Sequence, residues 1–125
     1  MKPYYYEAKV VKVYDGDTCT CVVDLGFKIS TKIKVRLVGI DTPEVRTKDL
    51  EEKAKGIATR DWLREKILDK KVLLHTKKRG KFGRWLGTIW TINEDKPEFE
   101  NSYNKQLIKE GLAKEYWGGK RWNIV

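Results

Sequence analysis

The feature that most limits how this chain can fold is its hydrophobic period, which changes twice. Residues 7–14, Glu-Ala-Lys-Val-Val-Lys-Val-Tyr, mix β-branched residues with lysines and break at Asp15-Gly16, a common hairpin punctuation. A second strand is expected from Thr18 to about Asp24, then a turn at Leu25-Gly26. A third is expected from Phe27 to Ile40, where apolar positions 27, 29, 33, 35 and 37 alternate with polar ones. From Leu50 to Leu68 the period becomes helical, with Ala54, Ile57, Ala58, Trp62, Leu63 and Ile67 recurring among Glu, Lys and Arg. Strands resume at Val72–Thr76 and Arg84–Ile92 on either side of a basic loop, residues 77–83. A last helix is expected over Asn101–Glu110, stopped by Gly111.

Three strands, a helix and two strands is the order of a five-stranded OB-fold barrel. The expected class is therefore mainly β with helices (α+β), the long helix lying between strands three and four and a short helix following at the C-terminal side. With 125 residues and neither repeats nor a long linker, the whole chain, 1–125, is expected to form a single domain.

Charge narrows the function. The chain carries 27 Lys+Arg against 18 Asp+Glu, a formal charge of +9, so its field attracts polyanions, with nucleic acid the leading partner. The basic residues are spread over strands, loops and a helix rather than gathered on one amphipathic segment, which argues against a membrane surface. The first residues have no apolar core of signal-peptide length and no stretch is long enough to span a bilayer. A soluble, monomeric protein, cytoplasmic or of phage origin, is the expectation. Cys19 and Cys21, two apart on a strand, share a face but sit too far apart for an unstrained disulfide and read as reduced apolar fillers. With His75 alone besides, they cannot close a zinc shell.

Chemistry concentrates at strand ends. Asp41-Thr42-Pro43-Glu44 follows directly on Lys34-Val35-Arg36-Leu37-Val38-Gly39-Ile40, and a second acidic cluster, Asp15-Gly16-Asp17-Thr18, occupies the first turn. If the strands flanking that turn pair with the 34–40 strand, Asp17 and Asp41 converge, and converging carboxylate oxygens ask for a hard divalent cation. Such a cation beside arginines in a basic protein suggests phosphodiester chemistry. Arg36 within an apolar strand is hard to explain structurally, since an unpaired buried charge is costly.

Together, Asp15-Gly16-Asp17-Thr18, the run from Val35 to Glu44, Lys81-Phe82-Gly83-Arg84 and Gly111-Leu112-Ala113 resemble the staphylococcal nuclease (thermonuclease) family in order and spacing, over about residues 8–117. The resemblance implies a calcium-dependent endonuclease that cleaves single-stranded or fraying DNA, and RNA, leaving 3′-phosphates. It implies Asp17, Asp41 and the main-chain carbonyl of Thr42 as calcium ligands, and Arg36 and Arg84 as phosphate-binding arginines. Glu44 matches the residue that activates or positions the attacking water. Asp15 is either an orienting carboxylate behind the ligands or a turn cap. Lys81 and Phe82 match the pair that contacts the terminal phosphate, Phe82 replacing a tyrosine and Gly80 an aspartate. Tyr116 and Trp117 fall where the family presents rings to the base, in either of two registers. The chain stops at Val125, short of the family's long C-terminal helix, with Trp122 as a residue that would close the core.

Two blander classes compete. A non-catalytic OB-type nucleic-acid-binding module would share the fold and the charge, but a pure binder gains nothing from Asp17, Asp41 and Glu44 beside a polyanion. A protein-interaction module would not retain DNA at moderate salt. Trp62, Trp85 and Trp90 read as core or groove wall, and His75 is given no role.

Overall fold

The computed structural model describes residues 3–117, apart from the Lys81 side chain; Trp122 lies outside the described residues. Five strands close a barrel: β1 (Tyr5–Asp15), β2 (Thr18–Asp24), β3 (Ser30–Leu37), β5 (Lys71–Arg79) and β6 (Trp85–Thr91). Around it, β1 pairs antiparallel with β2 and β5, β2 with β3, and β5 with β6. The closing seam is parallel and short, joining Val35 to Trp85, Arg36 to Leu86 and Leu37 to Gly87. This is the OB arrangement expected from the order of elements. A two-residue strand β4 (Ile40–Asp41) pairs outside the barrel with β7 (Lys114–Glu115).

The helix α1 (Leu50–Ile67) starts where Asp49 accepts hydrogen bonds from the Glu51 and Glu52 amides, with both glutamates in the first turn and Arg64 and Lys66 in the last, as the helix dipole favours. Its buried face agrees with the apolar period at Leu63 and Ile67 but departs from it toward the N-terminal half. Gly56, Thr59, Leu63 and Ile67 are buried while Ala54 and Ala58 are exposed, because the turn at Gly16 and the segment at Glu44 approach so closely that only small residues fit beneath them. Arg64 then ties α1 to β1, donating from Nε and Nη2 to the Val13 carbonyl at 3.2 and 3.0 Å. The second helix, α2 (Tyr103–Lys109), is shorter than expected. A 3-10 turn at Phe99–Asn101 precedes it, Ser102 caps it, and Gly111, at φ 75°, follows it.

The core runs from barrel to helices through Val10, Val13, Val35, Leu37, Ile40, Leu63, Ile67, Leu74, Ile89 and Leu107, all at most 1% exposed. Each such aliphatic side chain contributes roughly 1.5–3 kcal/mol. Cys19 and Cys21 are free and buried in it, their sulfurs 3.9 Å apart.

Two further expectations change. The strand expected from Phe27 begins only at Ser30. Phe27 and Lys28 instead form the tip of a hairpin, both at positive φ (56° and 64°), with the Ile29 amide donating to the Gly26 carbonyl, and Phe27 is 96% exposed. The same strand ends at Leu37, because Gly39 at φ 81° turns the chain before β4. The basic stretch 77–79 is not loop but the end of β5, after a register shift between Thr76 and Lys78.

Candidate active site

The β2–β3 ladder sets Thr18 opposite Arg36, which brings the Asp17 carboxylate to the Arg36 guanidinium. Asp17 Oδ2 lies 3.3 Å from Arg36 Nη1, the two side chains being 12% and 19% exposed. Arg36 is thus paired, which removes the cost of a lone charge. Its Nη1 also donates to the Leu37 carbonyl at 2.7 Å and its Nη2 to the Ile40 carbonyl at 3.1 Å. Two of the five guanidinium N–H groups are thus hydrogen-bonded to carbonyls, while Asp17 pairs with the guanidinium by charge.

Asp15 does the work of a turn residue, accepting the Asp17 amide at Oδ1 over 3.1 Å. It also sits close enough to Asp17 to feel its charge. Burial, then the hydrogen bond to Asp17 and its charge, push the Asp15 carboxyl up to about 6. Gly16 between them is packed under the 42 segment: a Cβ there would lie 3.0 Å from Thr42 Cγ2 and 2.3 Å from Thr59 Cγ2. Thr42 is buried against this turn, so the chain beyond β4 passes beside Asp17.

Asp41 is exposed and stands opposite Lys114 in the β4–β7 pair. Glu44 is also exposed; its amide donates to Glu52 Oε2 on α1, and its carbonyl lies over Gly56, where a Cβ would approach it to 2.5 Å. Sequence reasoning passed over Gly56 as a seat for this segment, although a glycine inside a helix is a signal of close approach.

Arg84 immediately precedes Trp85, the residue paired with Val35, so it adjoins the strand that carries Arg36. Its Nε is buried with no hydrogen-bond partner, and its guanidinium carbon stands 5.6 Å from the centre of the Phe82 ring. A buried guanidinium donor left open is costly unless an acceptor arrives. Phe82 is held at φ 62° and is 87% exposed, outside the core. Lys81 opens this 3-10 turn, Lys81–Gly83, and its side chain lies outside the described residues. Tyr116 and Trp117 are 45% and 50% exposed. The Tyr116 amide donates to the Gly39 carbonyl, and the Trp117 ring packs on Phe99 at 5.0 Å, above Gly39.

The structure therefore brings Asp15, Asp17, Arg36 and Thr42 together, and leaves Asp41 and Glu44 exposed on the adjoining segment. Among the described residues no three Asp, Glu, His or Cys side chains form a metal cage. The donor chemistry nevertheless suits a hard cation, because the turn presents the carboxylate oxygens of Asp15 and Asp17 side by side.

The profile of the staphylococcal nuclease homologues matches residues 34–122. Among curated proteins, the chain is 33% identical over 110 residues to Protein ParB of Escherichia coli, covering 86% of the chain and 56% of that protein. It is 32% identical over 108 residues to a thermonuclease of Staphylococcus hyicus, covering 85% and 57%. To an uncharacterized endonuclease of Haemophilus influenzae it is 31% identical over 115 residues, covering 92% and 53%. The chain thus spans little more than half the length of these relatives.

Proposed function

Because the chain belongs to the family of staphylococcal nuclease homologues, we propose that it is a calcium-dependent nuclease cleaving phosphodiester bonds of DNA and RNA to leave 3′-phosphates. The observation that carries the reading is the pair of arginines at the barrel seam. One is fixed by Asp17 and two carbonyls with N–H groups still unbonded, and the other has a buried Nε without a hydrogen-bond partner.

Asp17, Asp41 and the Thr42 carbonyl would hold calcium, which when bound supplies positive charge beside the scissile phosphate. Arg36 and Arg84 grip the phosphoryl oxygens and favour the charge that builds on them during attack, a role suited to the guanidinium fork. Because Arg36 is aligned beforehand by Asp17, Leu37 and Ile40, little reorganisation is needed when substrate arrives. Glu44 accepts a proton from the attacking water or holds that water in line. Phe82 offers an exposed ring face to base or ribose, and Tyr116 or Trp117 offers another. The nucleic-acid substrate, the absence of a membrane role and the monomeric state belong to the same proposal. Among the described residues no helix is long and apolar enough to cross a membrane.

The test is digestion of single-stranded DNA with calcium or with chelator, reading the ends produced. Cleavage to 3′-phosphates in calcium alone is expected. Undiminished cleavage in chelator overturns the calcium assignment, and no cleavage in calcium favours the binding module.

A further inference from the structure

The helix α1 packs under the turn end of β1, and away from it the barrel has a mouth of about 290 Å³ lined by Tyr4, Tyr6, Leu25, Ile33 and Trp85. Side chains alternate along β3, so Arg36 points out toward Asp17 while Ile33 and Val35 point in. Trp85, next in the chain after Arg84, lines this mouth, and Tyr4 at its rim is 48% exposed. Cations stand over both rings: Lys77 Nζ lies 5.8 Å from the Tyr4 ring centre and the Arg79 guanidinium 5.8 Å from that of Trp85. From Arg36 to the mouth at Thr31 is five residues of strand, roughly 16 Å.

We propose that this mouth is a second base-binding subsite, accepting an unpaired nucleobase of the strand whose phosphate is held at the seam. The inference rests on the nuclease reading and extends it to a part of the substrate away from the scissile bond. Three features select a nucleobase over a plain hydrocarbon. The lining offers aromatic faces, the rim is cationic, and the lining residue Trp85 directly follows Arg84 in the chain. Aromatic faces tolerate any base, so the subsite would add affinity without sequence preference. It would favour single strands, because a base stacked and paired in a duplex has no free face to lay on these rings.

The experiment measures binding by fluorescence anisotropy in chelator at fixed low salt, using an eight-nucleotide oligothymidylate and an abasic oligonucleotide of equal length. Trp85→Leu and Tyr4→Leu keep the mouth apolar but remove a ring face. Each is expected to weaken oligothymidylate binding roughly 5- to 100-fold and to leave abasic binding unchanged. Loss on both ligands, or on neither, overturns the proposal and leaves the mouth to a protein segment or to packing. Thermal melting of each variant separates lost binding from lost fold. If the rings matter but calcium supports no cleavage, the subsite stands and the nuclease reading falls. Cleavage with no effect of the rings gives the reverse.

Discussion

Arg36 sits in the ladder of a closed barrel and Asp17 in the turn that enters it, whereas Asp41 and Glu44 sit on a segment held by a two-residue strand pair, one hydrogen bond to α1 and a close approach to Gly56. The first pair is nearly out of solvent and tied by a salt bridge and two carbonyl bonds; the second pair is exposed. The difference separates two burdens. A group that fixes charge in place is built into the element that the core needs anyway, and altering it should disturb fold and chemistry together. The groups proposed to handle water and cation, Glu44 and Asp41, stand in solvent, so altering them should disturb chemistry alone.

The largest expected effect tests the exposed side. Glu44→Gln should lower turnover by roughly 10²–10⁴-fold, with unchanged melting temperature and undiminished affinity for single-stranded DNA. A parallel loss of stability would erase the distinction between the two halves. Next, Arg36→Lys should lower turnover by about 10²–10³-fold and also cost stability, about 1–2 kcal/mol, because an ammonium cannot reach Asp17, Leu37 and Ile40 as the fork does. Denaturant titration and kinetics on the same variant give both numbers, and normal stability would mean that the anchors are dispensable.

Gly56→Ala sharpens the contrast from a distance. In a free helix the change would gain up to about 1 kcal/mol, but here the new Cβ meets the Glu44 carbonyl at 2.5 Å. The 43–44 segment should be pushed away, with a drop in turnover of about tenfold or more and no change at the Asp17–Arg36 pair. An unaltered rate would show that the seat of Glu44 is soft.

A smaller effect is expected at Asp15. Its folded pKa is raised, from 3.8 to about 6, so its stabilising contribution is complete below pH 3.8 and lost as pH rises through 6. Asp15→Asn keeps the oxygen that accepts the Asp17 amide, so in metal-free buffer above pH 6 it should be more stable than the parent. The gain should be about 1 kcal/mol, well short of the full shift because the carboxyl is open to solvent on one side. The advantage should fade toward pH 4, and a constant offset would assign it to something other than ionisation. The smallest expected change is Phe82→Tyr, which at an exposed ring should improve binding of a terminal phosphate by up to about 1 kcal/mol.

How far the sequence spoke depends on whether a residue's neighbours are near in the ladder or far in the chain. The barrel order was legible because alternation and the Asp15-Gly16 turn are local, whereas the pairing of Asp17 with Arg36 was not, since it depends on the register of β2 against β3. Phe27 misled because apolar residues alternating through a hairpin tip look the same as those in a strand; only the positive φ values separate them. The face of α1 was legible at Leu63 and Ile67 but not at its N-terminal half, because burial of Gly56 and Thr59 is imposed by Glu44, Gly16 and the Leu112 carbonyl, which no periodicity records. For the same reason the carbonyl anchors of Arg36 and the packing of Phe99 and Trp117 above Gly39 were invisible from residue types.

The three pairs joining β3 to β6 have a consequence for how the protein comes into being. They connect residues about fifty positions apart and so carry the entropic cost of closing a large loop, which places them among the late events of folding. Arg36 belongs to one side of that seam and Arg84 flanks the other. Until it closes, the two guanidinium groups travel on separate pieces of chain. In refolding from denaturant, hydrolysis should therefore appear with the last kinetic phase, after the collapse seen by tryptophan fluorescence. On the proposed reading, a partly made copy of the protein would then be inert toward nucleic acid, its chemistry switched on only by completion of the barrel.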